Sequence, residues 1–393
     1  MEFRFTLEEE RFRSDIREFL REELPADWSG GGALGEAGEA RWEFQRSFQK
    51  KLAQRKWLTL GWPEEHGGLA AGHMMQVIYN EEMSYFRAPT QLGVGPDRVG
   101  PTIILYGSDE QKRQLLPAIV SGESVWCQGF SEPSSGSDLA SLQTTAVADG
   151  DFFVINGQKI WTSYAHRADW CILLARTDPE APKHKGISYF LLDMETPGIE
   201  VRPLTDMLGR DTFNEVFFDN VRIPRDRLVG ELNRGWYVAA ATLDFERSGI
   251  NRVVMGIRMY EELVAYAAES RSDGGRLLDD TGVRQKLAEL AIEFQAGRML
   301  AYRVASMQAR GQIPNAEASM SKMYGSELQQ RLAGAGMEML GLGGQLEPGS
   351  RWAPLRGRLE QYYLFAAALT IAAGTSEIMR GIIAGRGLGL PRG

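Results

Sequence analysis

The sequence predicts an α+β protein, mostly α, in which a helical segment, a β segment and a second helical segment follow one another. Three observations carry this. Apolar residues recur at helical spacing up to about Val125, short β-branched and aromatic runs fill residues 144–221, and long helix-period segments return from Trp236 onward. The expected domains are 1–125, helical; 126–231, β; and 232–393, a helical bundle. A chain of 393 residues with 43% apolar and 24% charged residues is an ordinary globular composition, which excludes disordered and fibrous classes.

Thr6-Leu-Glu-Glu9 has the form of a capping box, and Phe12, Ile16, Phe19 and Leu20 then recur at helical spacing until Pro25. A Gly-rich loop at 28–38 separates this helix from helical patterns at 44–60 and 74–86. Ser108-Asp-Glu-Gln111 offers a second capping box before Leu115 and Leu116. Six strand-like runs follow, at 144–149, 152–156, 160–163, 170–175, 187–193 and 216–221. Asp149-Gly150 and Asn156-Gly157 punctuate them, and Asx-Gly pairs suit turns that need positive φ, so a small sandwich or barrel is expected. Beyond it, helices are expected at 236–271, 282–309, 315–340, 362–373 and 376–384. Gly311, the glycines of 341–349 and Gly374 break them, and segments of this length with short breaks pack as a bundle.

Charge and motif content narrow the function. With 44 Lys+Arg against 52 Asp+Glu the net charge is −8, so a broad electrostatic footprint for nucleic acid or anionic lipid is missing. Cys127 and Cys171 make neither a disulfide framework nor a zinc pattern, and a reducing compartment fits them. The acidic start lacks the basic and apolar regions of a secretory signal and reads as the start of the mature chain. The most apolar stretch, 362–373, is far shorter than the ~20 residues of a membrane span. A cytoplasmic protein without a membrane span is expected. Four histidines, His66, His73, His166 and His184, show no metal-ligand spacing, so no metal is expected. Neither a Gly-x-Ser-x-Gly elbow nor a complete Gly-x-Gly-x-x-Gly occurs. What remains distinctive is a stretch of small hydroxyl residues around acids, then Trp-Thr-Ser, then helical segments carrying Glu-Arg and Gly-Thr-Ser-Glu, a pattern that points to a flavin.

Gly129-Phe-Ser-Glu-Pro-Ser-Ser-Gly-Ser-Asp138 resembles the first signature of the acyl-CoA dehydrogenase family. Gly157-Gln-Lys-Ile-Trp-Thr-Ser163 is similar to the family's flavin-wall strand, Leu243-Asp-Phe-Glu-Arg247 to its first bundle helix, and Gly374-Thr-Ser-Glu-Ile-Met-Arg380 to its closing motif. The resemblance spans essentially the whole chain. It implies an N-terminal helical domain, a middle β domain and a C-terminal four-helix bundle, with FAD at their junction. Carried onto this sequence, it gives Gln128, Phe130, Ser131, Ser137, Trp161, Ser163 and Thr375 to the flavin. Arg271, Glu338 and Gly341 go to the part of the cofactor shared across a subunit interface. Two departures stand out: Arg271 is followed by Ser-Asp-Gly-Gly275 where the family has an aromatic-glycine pair, and Glu338 stands where a glutamine is common.

The implied reaction removes the α-proton of an acyl-CoA while a β-hydride passes to flavin, giving a trans-2-enoyl-CoA. It needs one well-placed carboxylate. Many members carry it immediately before Gly-Thr, where this sequence has Ala373, which does not titrate. Others carry it on the first bundle helix, where this sequence has Glu246, so Glu246 is the expected base and Ala373 keeps only a backbone N–H role. Lys185, in Lys183-His-Lys185, falls near where relatives hold the CoA phosphates. The expected partners are an acyl-CoA, an electron-transfer flavoprotein, and further subunits in a homodimer, homotetramer or heterotetramer. The expected setting is lipid degradation. Two alternatives stay open: a flavin oxidase or monooxygenase of the same fold, and a non-catalytic partner subunit.

Overall fold

A computed structural model describes residues 4–26, 28, 30, 38–89, 92–244, 249–272 and 275–391, with the side chains of 243, 244, 271 and 272 outside the description. In chain order the first helices are α1 (Leu7–Glu23), α2 (Glu39–Gln54), α3 (His73–Tyr85), α4 (Gly100–Tyr106) and α5 (Asp109–Val120). Eight strands follow: β1 (Trp126–Gly129), β2 (Thr145–Asp149), β3 (Phe152–Lys159), β4 (Trp170–Arg176), β5 (Ile187–Asp193), β6 (Ile199–Leu204), β7 (Phe213–Pro224) and β8 (Leu228–Val229). Then come α6 (Gly235–Asp244), α7 (Ile250–Glu269), the short pair β9 (Arg271–Ser272) and β10 (Gly275–Arg276), α8 (Thr281–Ala309), α9 (Asn315–Leu340), α10 (Arg358–Leu369) and α11 (Ser376–Ile382). The order helical, sheet, helical is the expected one. By packing, the chain forms two compact units: a bundle unit of residues 1–36, 72–89 and 247–393, and a sheet unit of 37–71 and 90–246.

Both capping boxes form. The Thr6 hydroxyl accepts from the Glu9 N–H at 3.2 Å while the Glu9 carboxylate accepts from the Thr6 N–H at 2.7 Å. Ser108 and Gln111 repeat the exchange at 3.2 and 3.0 Å. Each exchange satisfies donors that a helix start otherwise leaves open.

In the sheet unit the strands lie in the order β6-β7-β3-β2-β4-β5-β8, with β1 parallel to β4. Alternation assigns the two faces of β4 and β5. Ile172, Leu174, Tyr189 and Leu191 pack with Trp62 of the segment after α2 and with Ile103, Leu115 and Val238 of the helices. Cys171, Leu173, Phe190 and Leu192 pack with Phe153, Ile155, Val216 and Phe218 of β3 and β7, so the sheet folds over its own apolar face.

The two Asx-Gly pairs diverge. Asp149-Gly150 turns β2 into β3, with Asp149 paired to Phe152 and Gly150 at φ 55°. Asn156-Gly157 lies inside β3, not at a turn as expected. There the register against β7 slips between Ile155 and Gly157, Gly157 has φ 148°, and a Cβ on it would stand 2.5 Å from the Thr144 hydroxyl. The extra residue of this bulge lies on β7, where Asn220 takes φ 50°, and the glycine serves the close approach to Thr144; β3 runs on to Lys159, and 160–163, expected as a strand, lies beyond its end.

The bundle unit buries Val253, Leu263, Phe294, Leu328, Leu332 and Tyr362 of α7–α10 in one core. Val77 of α3 packs with Ile250, Val254, Ala301 and Tyr302 in another. The helix expected over 236–271 is two: α6 ends at Asp244, and α7 begins after Gly249, whose φ of 68° does not continue a helix. Residues 245–248 lie outside the description. The helix expected over 362–373 starts a turn earlier, at Arg358, and stops at Leu369. Among the described residues no helix is long and apolar enough to cross a membrane.

Candidate functional site

In the sheet unit, strand alternation that turns Phe153 and Ile155 inward also turns Lys159 inward. Its side chain is fully buried, and its ammonium donates to the Phe130 carbonyl at 3.0 Å and to Glu132 at 2.7 Å. The Glu132 carboxylate also accepts the Gln143 and Thr144 N–H groups at 2.6 and 2.9 Å. One step further the Ile160 N–H donates to the Ser131 carbonyl at 2.9 Å. The 130–132 loop is thus fastened to the exit of β3. Burial raises the Glu132 carboxyl, but the Lys159 charge and the hydrogen bonds outweigh it and hold the group below the usual carboxylate range. Burial pushes the Lys159 ammonium down to about 8 against the pull of Glu132. Sequence reasoning gave neither residue a role, although both stand inside the motif blocks; the inward parity of Lys159 was the available signal.

Beyond Lys159 the chain keeps running antiparallel to the residues that lead into β7. Trp161 takes φ 61°, and its indole is 61% exposed, edge-on to Phe213 at 6.0 Å. The Thr162 and Tyr164 N–H groups donate to the Asn214 and Thr212 carbonyls at 3.1 and 2.9 Å. The N–H groups of Trp161 and Ser163 have no partner among the described residues. Two hydroxyls of the same blocks, on Thr162 and Ser135, are buried and have no partner among the described residues. Phe130 is buried edge-on to Tyr189 at 6.0 Å. The structure therefore brings Phe130, Ser131, Trp161 and Ser163 to one edge of the sheet. Gln128 sits on β1 and accepts from the Arg98 guanidinium at 3.0 Å, and Ser137 is exposed. Lys185 is exposed on the turn before β5, whereas Lys183 is the lysine that pairs with Asp138, beside Ser137.

In the bundle unit, Ala373 and Gly374 take φ 55° and 93°, and neither N–H has a partner among the described residues. The Thr375 hydroxyl caps α11 by accepting the Ile378 N–H at 3.2 Å. The Lys322 ammonium donates to the Leu369 carbonyl at 3.1 Å and to the Gly374 carbonyl, which fixes the closing motif to α9. Thr375, Ser376 and Glu377 line a cavity of about 630 Å³ with Arg331 and Arg380, and the Ser376 hydroxyl is buried with no partner among the described residues. Glu338 and Gly341 are not brought to this motif. Glu338 is exposed, and at ~1.5 Å of rise per residue it stands about 24 Å from Lys322 along α9, with Gly341 ending that helix at φ 55°. Arg271 lies on β9, paired with Arg276, and its side chain is outside the description. Glu246 lies outside the described residues.

Three family models match in succession: the acyl-CoA dehydrogenase N-terminal domain over 6–123, its middle domain over 127–221, and its C-terminal domain over 233–388. A curated relative, acyl-CoA dehydrogenase IpdE1 of Mycobacterium tuberculosis, is 37% identical over 388 residues, covering 98% of each chain. Among solved structures, the Tcur3481-Tcur3483 steroid ACAD is similar with a TM-score of 0.91 and 35% identity, and covers 100% of both chains. The ChsE4-ChsE5 complex from Mycobacterium tuberculosis is similar with a TM-score of 0.89 and 34% identity, again over 100% of both. With motif blocks, fold and whole-length matches in agreement, this chain belongs to the acyl-CoA dehydrogenase family of oxidoreductases.

Proposed function

We propose that the chain is an FAD-dependent acyl-CoA dehydrogenase that converts an acyl-CoA thioester to the trans-2-enoyl-CoA and delivers the electrons to an electron-transfer flavoprotein. The observation that carries this reading is the edge around Trp161. It combines an exposed indole and two N–H groups without partners among the described residues, seated on the buried Lys159–Glu132 pair. Such an edge fits a planar ligand with polar margins: the ring covers the indole, and the donors meet its oxygen and nitrogen atoms. Phe130, Ser131, Ser137, Trp161 and Ser163 would hold it. FAD, when bound, supplies the acceptor for the hydride that leaves the β-carbon.

The remaining chemistry belongs to the chain. The Glu246 carboxylate takes the α-proton, since Ala373 offers no acid. A general base works best with a pKa near the working pH. The Ala373 N–H, free of internal partners among the described residues, is suited to polarise the thioester carbonyl; one such donor contributes about 3–4 kcal/mol in acyl-transfer sites. The relatives' printed names support a ring-bearing acyl group and an assembly with a related subunit: one is a steroid ACAD and another a two-name complex. Free thiols at Cys127 and Cys171 support work in the cytoplasm.

The test is the absorbance spectrum of the chain expressed alone, followed by anaerobic addition of short, long, branched and steroid acyl-CoAs to wild type and Glu246→Gln. Flavin absorbance bleached by one class in wild type, at a rate at least 10³-fold above the variant (roughly the scale of general-base loss), is the expected result. Equal bleaching in the variant removes Glu246 as base. A colourless protein favours the partner-subunit reading, which the altered residues after Arg271 and at Glu338 support.

A further inference from the structure

The bundle unit holds a second charged cluster that the dehydrogenase reading does not use. A cavity of about 490 Å³ is lined by Ala26, Trp28, Arg87, Arg258, Glu262, Arg356 and Arg358. Its volume lies in the range of about 300–1,000 Å³ typical of small-molecule sites. Among the described residues, four guanidiniums and one carboxylate line it. Arg87 grips Glu262 with both nitrogens, at 3.1 and 3.3 Å, Arg358 reaches it at 3.1 and 3.3 Å, and Arg258 stands at 3.7 Å. Arg356 has no hydrogen bond or ion pair among the described residues.

The arrangement is built, not incidental. Arg87 is held at φ 54° with its side chain 5% exposed, and its carbonyl accepts the Trp28 indole N–H at 3.1 Å. Arg356 follows Leu355, the two at φ 58° and 52°, a conformation that costs free energy and persists only where its surroundings enforce it. Gly357, the next residue, packs directly on the chain at 347–348, where a Cβ would lie 2.4 Å from the Pro348 nitrogen. The backbone is therefore bent so that Arg356 and Arg358 line one cavity. Glu262 neutralises one of the four charges. A carboxylate ligand would leave two in excess and a phosphate dianion one, and guanidinium forks match phosphate oxygens two at a time.

We propose that this cavity binds a phosphoryl group, free or at the end of a nucleotide-sized ligand whose body lies against Trp28. The site stands on bundle-unit residues alone and is independent of the reading of Trp161 and Glu246.

The test is thermal unfolding and titration calorimetry of the full chain, as purified, with pyrophosphate, ADP and adipate at low ionic strength. Wild type is compared with Arg356→Gln and Arg258→Gln; Arg356 is exposed, so its replacement leaves the core intact. The expected result is saturable binding of pyrophosphate or ADP that weakens at least tenfold in each variant, with adipate weaker than either. Pyrophosphate binding as well as ADP identifies a bare phosphoryl ligand; ADP alone identifies a nucleotide. Binding of ADP unchanged in both variants would place it elsewhere on the chain and overturn the proposal. Adipate binding as tightly as pyrophosphate would overturn the phosphoryl assignment. Asp27, between Ala26 and Trp28 in sequence, gives a further arm. No binding in wild type with binding gained in Asp27→Asn would show that the chain neutralises the cavity itself, which also defeats the proposal.

Discussion

Lys159–Glu132 in the sheet unit and the Glu262 cluster in the bundle unit are both guarded ion pairs, and they are built on opposite plans. At Lys159 one cation meets one carboxylate, the side chains are 0% and 5% exposed, and two backbone N–H groups complete the carboxylate's shell. At Glu262 three guanidiniums share one carboxylate, exposures run from 5% to 32%, and a cavity opens beside them. The first is balanced and closed, as a structural fastening must be, because a buried charge without a partner is costly. The second carries surplus charge next to open volume, which a fastening alone does not require.

The largest effect expected from this contrast is at Lys159. Lys159→Met leaves Glu132 buried without a cation and is expected to cost about 3–5 kcal/mol in denaturant unfolding, with much of it recovered in Lys159→Met/Glu132→Gln. A loss below about 1 kcal/mol would show that the pair is not what fixes the loop. Glu262→Gln comes next. Its partners are partly solvated, so a loss of about 1–2 kcal/mol is expected at low salt, and it should shrink when phosphate is added at millimolar concentration. Phosphate that leaves the variant unchanged while stabilising wild type would erase the contrast. The smallest effect is that of acid. Glu132 titrates lower in the folded than in the unfolded chain, so its contribution is complete above the unfolded value of about 4.5 and is lost as pH falls through the folded one. Urea unfolding at a series of pH values should fall less steeply below about 4.5 in Glu132→Gln than in wild type.

What the sequence made legible was local. Both capping boxes are four-residue signals, and helix and strand periods are read within a dozen residues. The order of the three segments followed from them. The candidate edge was visible as the motif blocks around Ser131 and Trp161, but not the pairing that fastens those two blocks together. Glu132 and Lys159 are 27 residues apart, and nothing local says they meet. The break between α6 and α7 was hidden because 236–271 keeps its helical period on both sides, and only Gly249 marks the interruption. Asn156-Gly157 was misread because the same dipeptide serves a turn or a close approach inside a strand, and tertiary neighbours decide which.

The two Asx-Gly pairs also differ in how freely their glycines can be replaced over evolutionary time. Gly150 needs only its positive φ, since a Cβ there meets nothing within 4 Å, and asparagine or aspartate tolerates that conformation. Gly157 needs both its dihedral and its missing side chain, because Thr144, whose N–H completes the shell of Glu132, occupies the space. One glycine is thus a preference and the other a lock, and drift is open to the hairpin while the strand leading to Trp161 is held to a single residue type.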